Sequence, residues 1–190
     1  MKAETPHPYD PLDYSNLAQN VVRALVEQPL QNLPPVPFGG VGVYAIHYVG
    51  DVDYYNSMKE KDIPIYVGSA VQAGKRKGGK EATAGRVLYN RLVQHAKSIQ
   101  QAENLRLEDF RCRYLVVVPV WIELAERFLI EHYRPIWNTL IDGFGNHDPG
   151  VGRRDMKRPR WDTLHPGRGW AKKLKPAETP AQILAVFKSS

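Results

Sequence analysis

The chain has 190 residues, 43% of them hydrophobic and 24% charged, which fits one globular domain with extensions and a sizeable core. A formal net charge of +6 points to an anionic partner, though charge alone does not say which. Cys112 is the only cysteine, which excludes an internal disulfide and a cysteine-based zinc site and fits a reducing cytoplasm.

Residues 1–10 lack the apolar core of a signal peptide. The longest apolar run, residues 114–122, is far short of a membrane span and contains Pro119. We therefore expect a cytoplasmic chain with no membrane partner. The opening residues are polar and proline-rich and read as an extended arm. Residues 16–27 form a helix pattern, with Leu17, Val21, Val22, Ala24 and Leu25 near one face and Ser15 as its cap. Residues 28–40 hold Pro29, Pro34, Pro35 and Pro37, so they should be extended and unable to pair in a central strand. This helix and arm either pack on their own domain or reach a second subunit.

Residues 41–49 and 63–68 read as two strands of an antiparallel hairpin, with the acidic, polar insertion 50–62 at its tip. Residues 69–83 form a loop rich in glycine and lysine, including Lys75, Arg76, Lys77 and Lys80. It is either a solvated turn or a phosphate-contacting loop. Residues 85–101 are helical, with Leu88, Leu92 and Ile99 on one side. Residues 110–118 make a third strand, and the run Leu115-Val116-Val117-Val118 suggests burial on both faces. Pro119 suits a helix start, and residues 120–133 form a helix ended by Pro135. From residue 141 onward glycine, proline, arginine and tryptophan dominate. Arg153, Arg154 and Arg168 lie there, and the interspersed Trp161, Leu164, His165 and Trp170 favour an ordered basic extension over a disordered tail. The expected organisation is an arm and helix (1–40), a core (41–140) and a basic extension packed on or beside that core (141–190).

A few residues are equipped for chemistry. Tyr44 and Tyr66 each sit in an apolar strand, Gly42-Val43-Tyr44-Ala45-Ile46 and Pro64-Ile65-Tyr66-Val67-Gly68. Tyrosine is a good strand former, so both also have a purely structural explanation. A phenol with a pKa of about 10 needs a neighbouring histidine, arginine or metal-bound water to act as a base. Arg91 and His95 are four apart and share a helix face. They suit transition-state charge stabilisation and proton movement, or else form a solvated face. On a helix, Glu126 is flanked by Ile122, Leu129, Ile130 and Tyr133. A carboxylate there is costly unless it is paired, hydrogen-bonded or metal-bound; the alternative is a glutamate at the edge of the core. Asn138 either makes a turn or orients a phosphate or a catalytic neighbour. The chain has no Walker loop, zincin helix or nucleophile elbow.

In order, Tyr44, Tyr66, Arg91 with His95, Glu126 and Asn138 resemble the GIY-YIG nuclease superfamily. The match is closer to one branch, the type II restriction endonucleases of that superfamily that cut CCGCGG. Arg91-x-x-x-His95, Arg134-Pro135-Ile136-Trp137-Asn138, Phe144-Gly145-Asn146-His147-Asp148-Pro149-Gly150 and Trp161-Asp162-Thr163-Leu164-His165-Pro166-Gly167-Arg168 carry that likeness. The resemblance implies an α+β fold: a three-stranded antiparallel sheet flanked by helices. It implies Mg²⁺ on Glu126, with Mn²⁺ able to substitute. Arg91 would stabilise the phosphate, and Tyr44 would position or deprotonate water with His95 relaying the proton. Tyr66 and Asn138 would complete the network. It further implies double-stranded DNA as substrate, a homodimer on the palindrome and a companion DNA methyltransferase. Lys75, Arg76, Lys77, Lys80, Arg153, Arg154 and Arg168 are then the candidate DNA contacts. Two alternatives remain beside it: a homing or repair nuclease with another target, and a non-catalytic DNA-binding protein.

Overall fold

The architecture was obtained as a computed structural model, which describes residues 12–72, 85–146 and 156–188. Its centre is an antiparallel sheet of β1 (Gln31–Asn32), β2 (Gly42–Tyr48), β3 (Tyr66–Ala70) and β4 (Phe110–Val116), in the order β1-β4-β2-β3. The expected three strands are all present. The fourth, β1, comes from the proline arm and pairs Gln31 with Cys112 and Asn32 with Arg111. A two-residue edge strand escapes the penalty that proline imposes on a central one.

Every residue of β2 is buried, because β3 and β4 flank it and helices cover both faces. Alternation divides its side chains. Tyr44, Ile46 and Tyr48 join the main core with Leu88, Leu92 and Ile99 of α3 (Val87–Gln101). Val43 and Ala45 face a second cluster, with Leu25 of α1 (Tyr14–Val26) and Ile122, Ala125 and Leu129 of α4 (Ile122–Tyr133). The N-terminal helix thus packs on its own domain. It begins earlier than the periodicity indicates, because Asp13, not Ser15, is the cap. The Asp13 carboxylate accepts from the Ser15 backbone N–H at 2.8 Å.

Three other elements depart from expectation. β4 stops at Val116, and Val116 and Val118 are 54% and 63% exposed, so that apolar run is not buried on both faces. Pro119–Trp121 is a 3₁₀ turn, and the α-helix starts at Ile122. It ends where Arg134 turns left-handed (φ 45°) just before Pro135. The polar insertion between β2 and β3 holds a 3₁₀ turn, Asp53–Tyr55, and α2 (Asn56–Glu60). Its Tyr55 is fully buried.

The C-terminal segment is ordered around α6 (Arg160–Leu164), a turn at Ala171–Lys173 and α7 (Pro180–Lys188). Trp161, Leu164 and Ile183 belong to the same core cluster as Tyr44. Beneath them runs a directed chain of hydrogen bonds. Trp137, on α5 (Ile136–Thr139), donates from Nε1 to the Tyr55 hydroxyl at 2.9 Å. That hydroxyl lies 2.6 Å from His165 Nε2, and His165 Nδ1 lies 3.0 Å from the Asn104 side-chain oxygen. The pattern is satisfied by a neutral imidazole with its proton on Nδ1.

Burial lowers the His165 pKa to about 3. At His47, burial and then the Arg113 charge lower it to about 4, against an opposing pull from Asp62. Both folded values lie below the ordinary 6.5, so the unfolded chain binds more protons between them and stability falls as pH drops through that window. The slope is up to about 1.4 kcal/mol per pH unit for each histidine. Thermal melts should therefore show Tm declining from pH 7 toward pH 4, with a shallower decline in His165→Gln. A Tm that is flat over that range rules the linkage out.

Candidate active site

The β2–β3 register sets Tyr44 directly opposite Gly68. The Tyr44 ring lies across that glycine: a Cβ on Gly68 would sit 2.4 Å from the tyrosine hydroxyl. This gives the glycine of the Pro64-Ile65-Tyr66-Val67-Gly68 strand its physical reason. The Tyr44 hydroxyl then reaches His95 Nε2 at 2.6 Å. Tyr66, two residues from Gly68 on the same face, packs its ring 6.2 Å from Tyr44 and 5.2 Å from His95. His95 is only 2% exposed, so it is no member of a solvated helix face.

Arg91 stands one turn before His95 and donates from Nη2 to the Gly145 carbonyl at 3.1 Å. It borders a cleft of about 390 Å³ that is also lined by Ser69, Val71, Val87, Asn90 and Gln94. The Tyr44 phenol is pushed well above its ordinary range by burial and then by Tyr66, with Arg91 opposing. Tyr66 is raised by burial, with Arg91 opposing and Glu126 adding to the rise. Neither phenol ionises by itself at neutral pH.

Glu126 sits on α4, on the other face of the sheet, close enough for its charge to act on Tyr44 and Tyr66. Its Oε2 accepts from the Ser69 hydroxyl at 2.7 Å. Ser69 alternates with Gly68, so it points toward α4 while Tyr66 points toward α3. Sequence reading missed Ser69. The signal was its place directly after Tyr66-Val67-Gly68, where alternation assigns it to the carboxylate's face.

Asn138 serves the backbone. Its side-chain oxygen accepts from Val67 N–H, and its amide donates to the Val67 carbonyl, both at 2.8 Å. It takes the place of a neighbouring strand at the edge of β3. Trp137 N–H extends that cover by donating to the Ile65 carbonyl at 2.9 Å. Asn138 thereby fixes the strand between Tyr66 and Gly68.

The candidate DNA contacts Lys75, Arg76, Lys77, Lys80, Arg153 and Arg154 lie outside the described residues. Arg168 is described, and its expected role is corrected. It is 2% exposed, with Nε and Nη2 on the Asp162 carboxylate at 2.6 and 2.5 Å. Its remaining donors reach the carbonyls of Gly143, Phe144 and Asn146. A guanidinium so occupied is an internal clamp, because leaving Asp162 buried and unpaired would be costly.

Cys112 is buried, and burial pushes its thiol up to about 12, so it stays protonated at neutral pH. No helix among the described residues is long and apolar enough to cross a membrane.

No curated protein matches the chain. Residues 36–187 match the Eco29kI GIY-YIG domain, so both tyrosine strands, the Arg91 helix, the Glu126 helix and most of the C-terminal segment fall inside one family. The chain therefore belongs to the Eco29kI-type GIY-YIG family of type II restriction endonucleases, enzymes that hydrolyse phosphodiester bonds of DNA.

Proposed function

We propose that this endonuclease cuts double-stranded DNA at CCGCGG as a homodimer, with Mg²⁺ held by Glu126 and Tyr44 and His95 moving the proton of the attacking water. The observation that supports it most directly is the 2.6 Å contact from the Tyr44 hydroxyl to His95 Nε2, beside Arg91. GIY-YIG nucleases are typically divalent-metal-dependent. Glu126 fits such an ion: it is a half-buried carboxylate among apolar neighbours, oriented by one serine hydroxyl. Among the described residues no three ligating side chains converge, so one carboxylate leaves the remaining positions to water and phosphate. A divalent cation bound there would neutralise charge on the phosphate and assist the leaving oxygen.

The chain's own residues divide the remaining work. Tyr44 cannot accept a proton as a free phenolate, since burial keeps it protonated. It accepts the water proton as it passes its own to His95 Nε2, which makes His95 the working base and Tyr44 the conduit. The water oxygen forms the new bond to phosphorus as the bond to the 3′ oxygen breaks. Arg91 faces the cleft and stabilises the phosphoryl oxygens as charge builds. Tyr66 hydrogen-bonds into the same phosphate and water network. Asn138 holds β3 in register, and Ser69 fixes the rotamer of Glu126.

Two copies related by a two-fold axis would let each cut one strand of the palindrome. α1 and the following arm are the candidate dimer or DNA contacts. The arm 1–40, the nuclease core 41–140 and the extension 141–190 are the working divisions. Lys75, Arg76, Lys77, Lys80, Arg153 and Arg154 remain the candidate DNA contacts, and arginine suits the guanines of this site. A companion methyltransferase would protect host DNA, and the enzyme would act in the cytoplasm.

Incubation with plasmid and Mg²⁺, followed by end mapping, should give discrete cuts within CCGCGG. No cleavage with Mg²⁺ or Mn²⁺ overturns the proposal, and cuts elsewhere overturn the target. Glu126→Ala should abolish cleavage while gel-shift binding to DNA persists. His95→Ala should slow single-turnover cleavage by about 10²–10⁴-fold. Ser69→Ala, which removes one hydrogen bond to a carboxylate, worth about 1.5–3 kcal/mol, should slow it by about 10–10²-fold; a loss as deep as that of Glu126→Ala would place Ser69 in the chemistry itself.

A further inference from the structure

Four successive backbone carbonyls, Gly143 to Asn146, are each captured by a guanidinium. Arg168 takes those of Gly143 at 2.8 Å and of Phe144 and Asn146 at 3.0 Å. Arg91 takes that of Gly145 at 3.1 Å. One arginine is the internal clamp of the C-terminal segment, and the other belongs to the active site. A short turn held from both sides in this way has little freedom, and the Asn146 N–H closes it further by donating to the Gly143 carbonyl at 3.1 Å.

The side chains of that turn are in contact with catalytic candidates. The Phe144 ring stacks on His95, with centroids 4.6 Å apart and planes 21° from parallel. It also meets Tyr66 edge-on at 4.9 Å and 78°. Gly145 approaches so closely that a Cβ there would lie 2.6 Å from the Tyr66 hydroxyl and 3.6 Å from Arg91 Nη2. The turn can come so close because Gly143 adopts φ +102°, where a Cβ would also collide with Pro159 at 2.1 Å.

We propose that the Phe144–Gly145 turn, clamped by Arg168, is the floor of the active site and sets the positions of His95, Tyr66 and Arg91; this inference rests on the active-site reading given above. Phe144 and Gly145 are positioning residues, acting on the reaction through the three side chains they touch. The stack fixes the plane of the imidazole, and so the direction from which Nε2 meets the Tyr44 hydroxyl. Gly145 leaves room for the Tyr66 hydroxyl and anchors Arg91 through its carbonyl. The C-terminal segment is therefore part of the nuclease centre, because Asp162 and Arg168 hold the turn that holds His95.

The test uses the full chain with Phe144→Leu, which keeps an apolar side chain and removes the ring, and Gly145→Ala, which adds one methyl against the Tyr66 hydroxyl. Single-turnover cleavage, DNA Kd, Tm and the His95 ring-proton NMR shifts are measured for each. We expect cleavage to fall at least about tenfold, since small misplacements of catalytic groups cost this much or more. DNA Kd should stay within about twofold, the signature of an interaction realised in the chemical step. The His95 resonances should move in Phe144→Leu as the ring current is lost. Wild-type rates in both variants, with unmoved His95 resonances, overturn the inference. So does a parallel loss of Tm, DNA affinity and rate, which marks general destabilisation. Absent cleavage by the parent enzyme, or unchanged cleavage by Glu126→Ala, would sink the active-site reading instead; the His95 resonances would still decide whether Phe144 sets that ring.

Discussion

The pairing of Tyr44 with Gly68 is the constraint on which the site depends. Strand side chains alternate with a period of two, so a one-residue slip of β2 against β3 would exchange the two faces of the hairpin. Tyr44 would then point toward α4 and lose His95, while Val43 and Ala45 would crowd against α3. The buried apolar side chains of both faces oppose that slip. Val43, Ala45 and Val67 are committed to the cluster with α1 and α4, and Ile46 and Tyr48 to the cluster with α3. Core packing and catalytic geometry are therefore specified by the same register.

Around that register the site is assembled from both sides of the sheet. Tyr44, Tyr66 and His95 approach from the α3 face, and Glu126 from the α4 face with Ser69 beside it. β3 lies between the two groups and is an edge strand with only one strand neighbour among the described residues. An edge normally leaves backbone groups open to pairing with another chain. Here Asn138 and Trp137, from α5, satisfy those groups at Ile65 and Val67.

Much of this was legible in the sequence, for identifiable reasons. The tyrosine strands, the Leu88/Leu92/Ile99 helix and the Glu126 helix follow from strong periodicity, and their order carried the resemblance. Less legible were features decided by contacts distant along the chain. β1 depends on Gln31 finding Cys112, and the burial of Tyr55 depends on Trp137 and His165. Exposure of Val116 and Val118 escaped because a continuous apolar run carries no sign of where its covering layers end. Arg168 was misread for a related reason: composition counts it as basic surface, whereas the Asp162 carboxylate six residues away draws it inside. Asn138 was named from the resemblance and Ser69 could have been placed by alternation, but their partners, the Val67 backbone and the Glu126 carboxylate, are far off along the chain.

The Tyr55–His165 pair deserves comparison with Tyr44–His95, because both hydroxyl-to-imidazole contacts measure 2.6 Å. One molecule thus contains its own internal reference for this pairing. The reference copy is enclosed by Trp137, Trp161 and Asn104, whereas the other has beside it Arg91, which lines a cleft. Bond length therefore does not distinguish a structural tyrosine–histidine couple from the one at the candidate active site. What separates them is the charge nearby: Arg91 and Glu126 act on Tyr44, whereas beside burial only Trp137, Tyr54 and Tyr48 act on Tyr55.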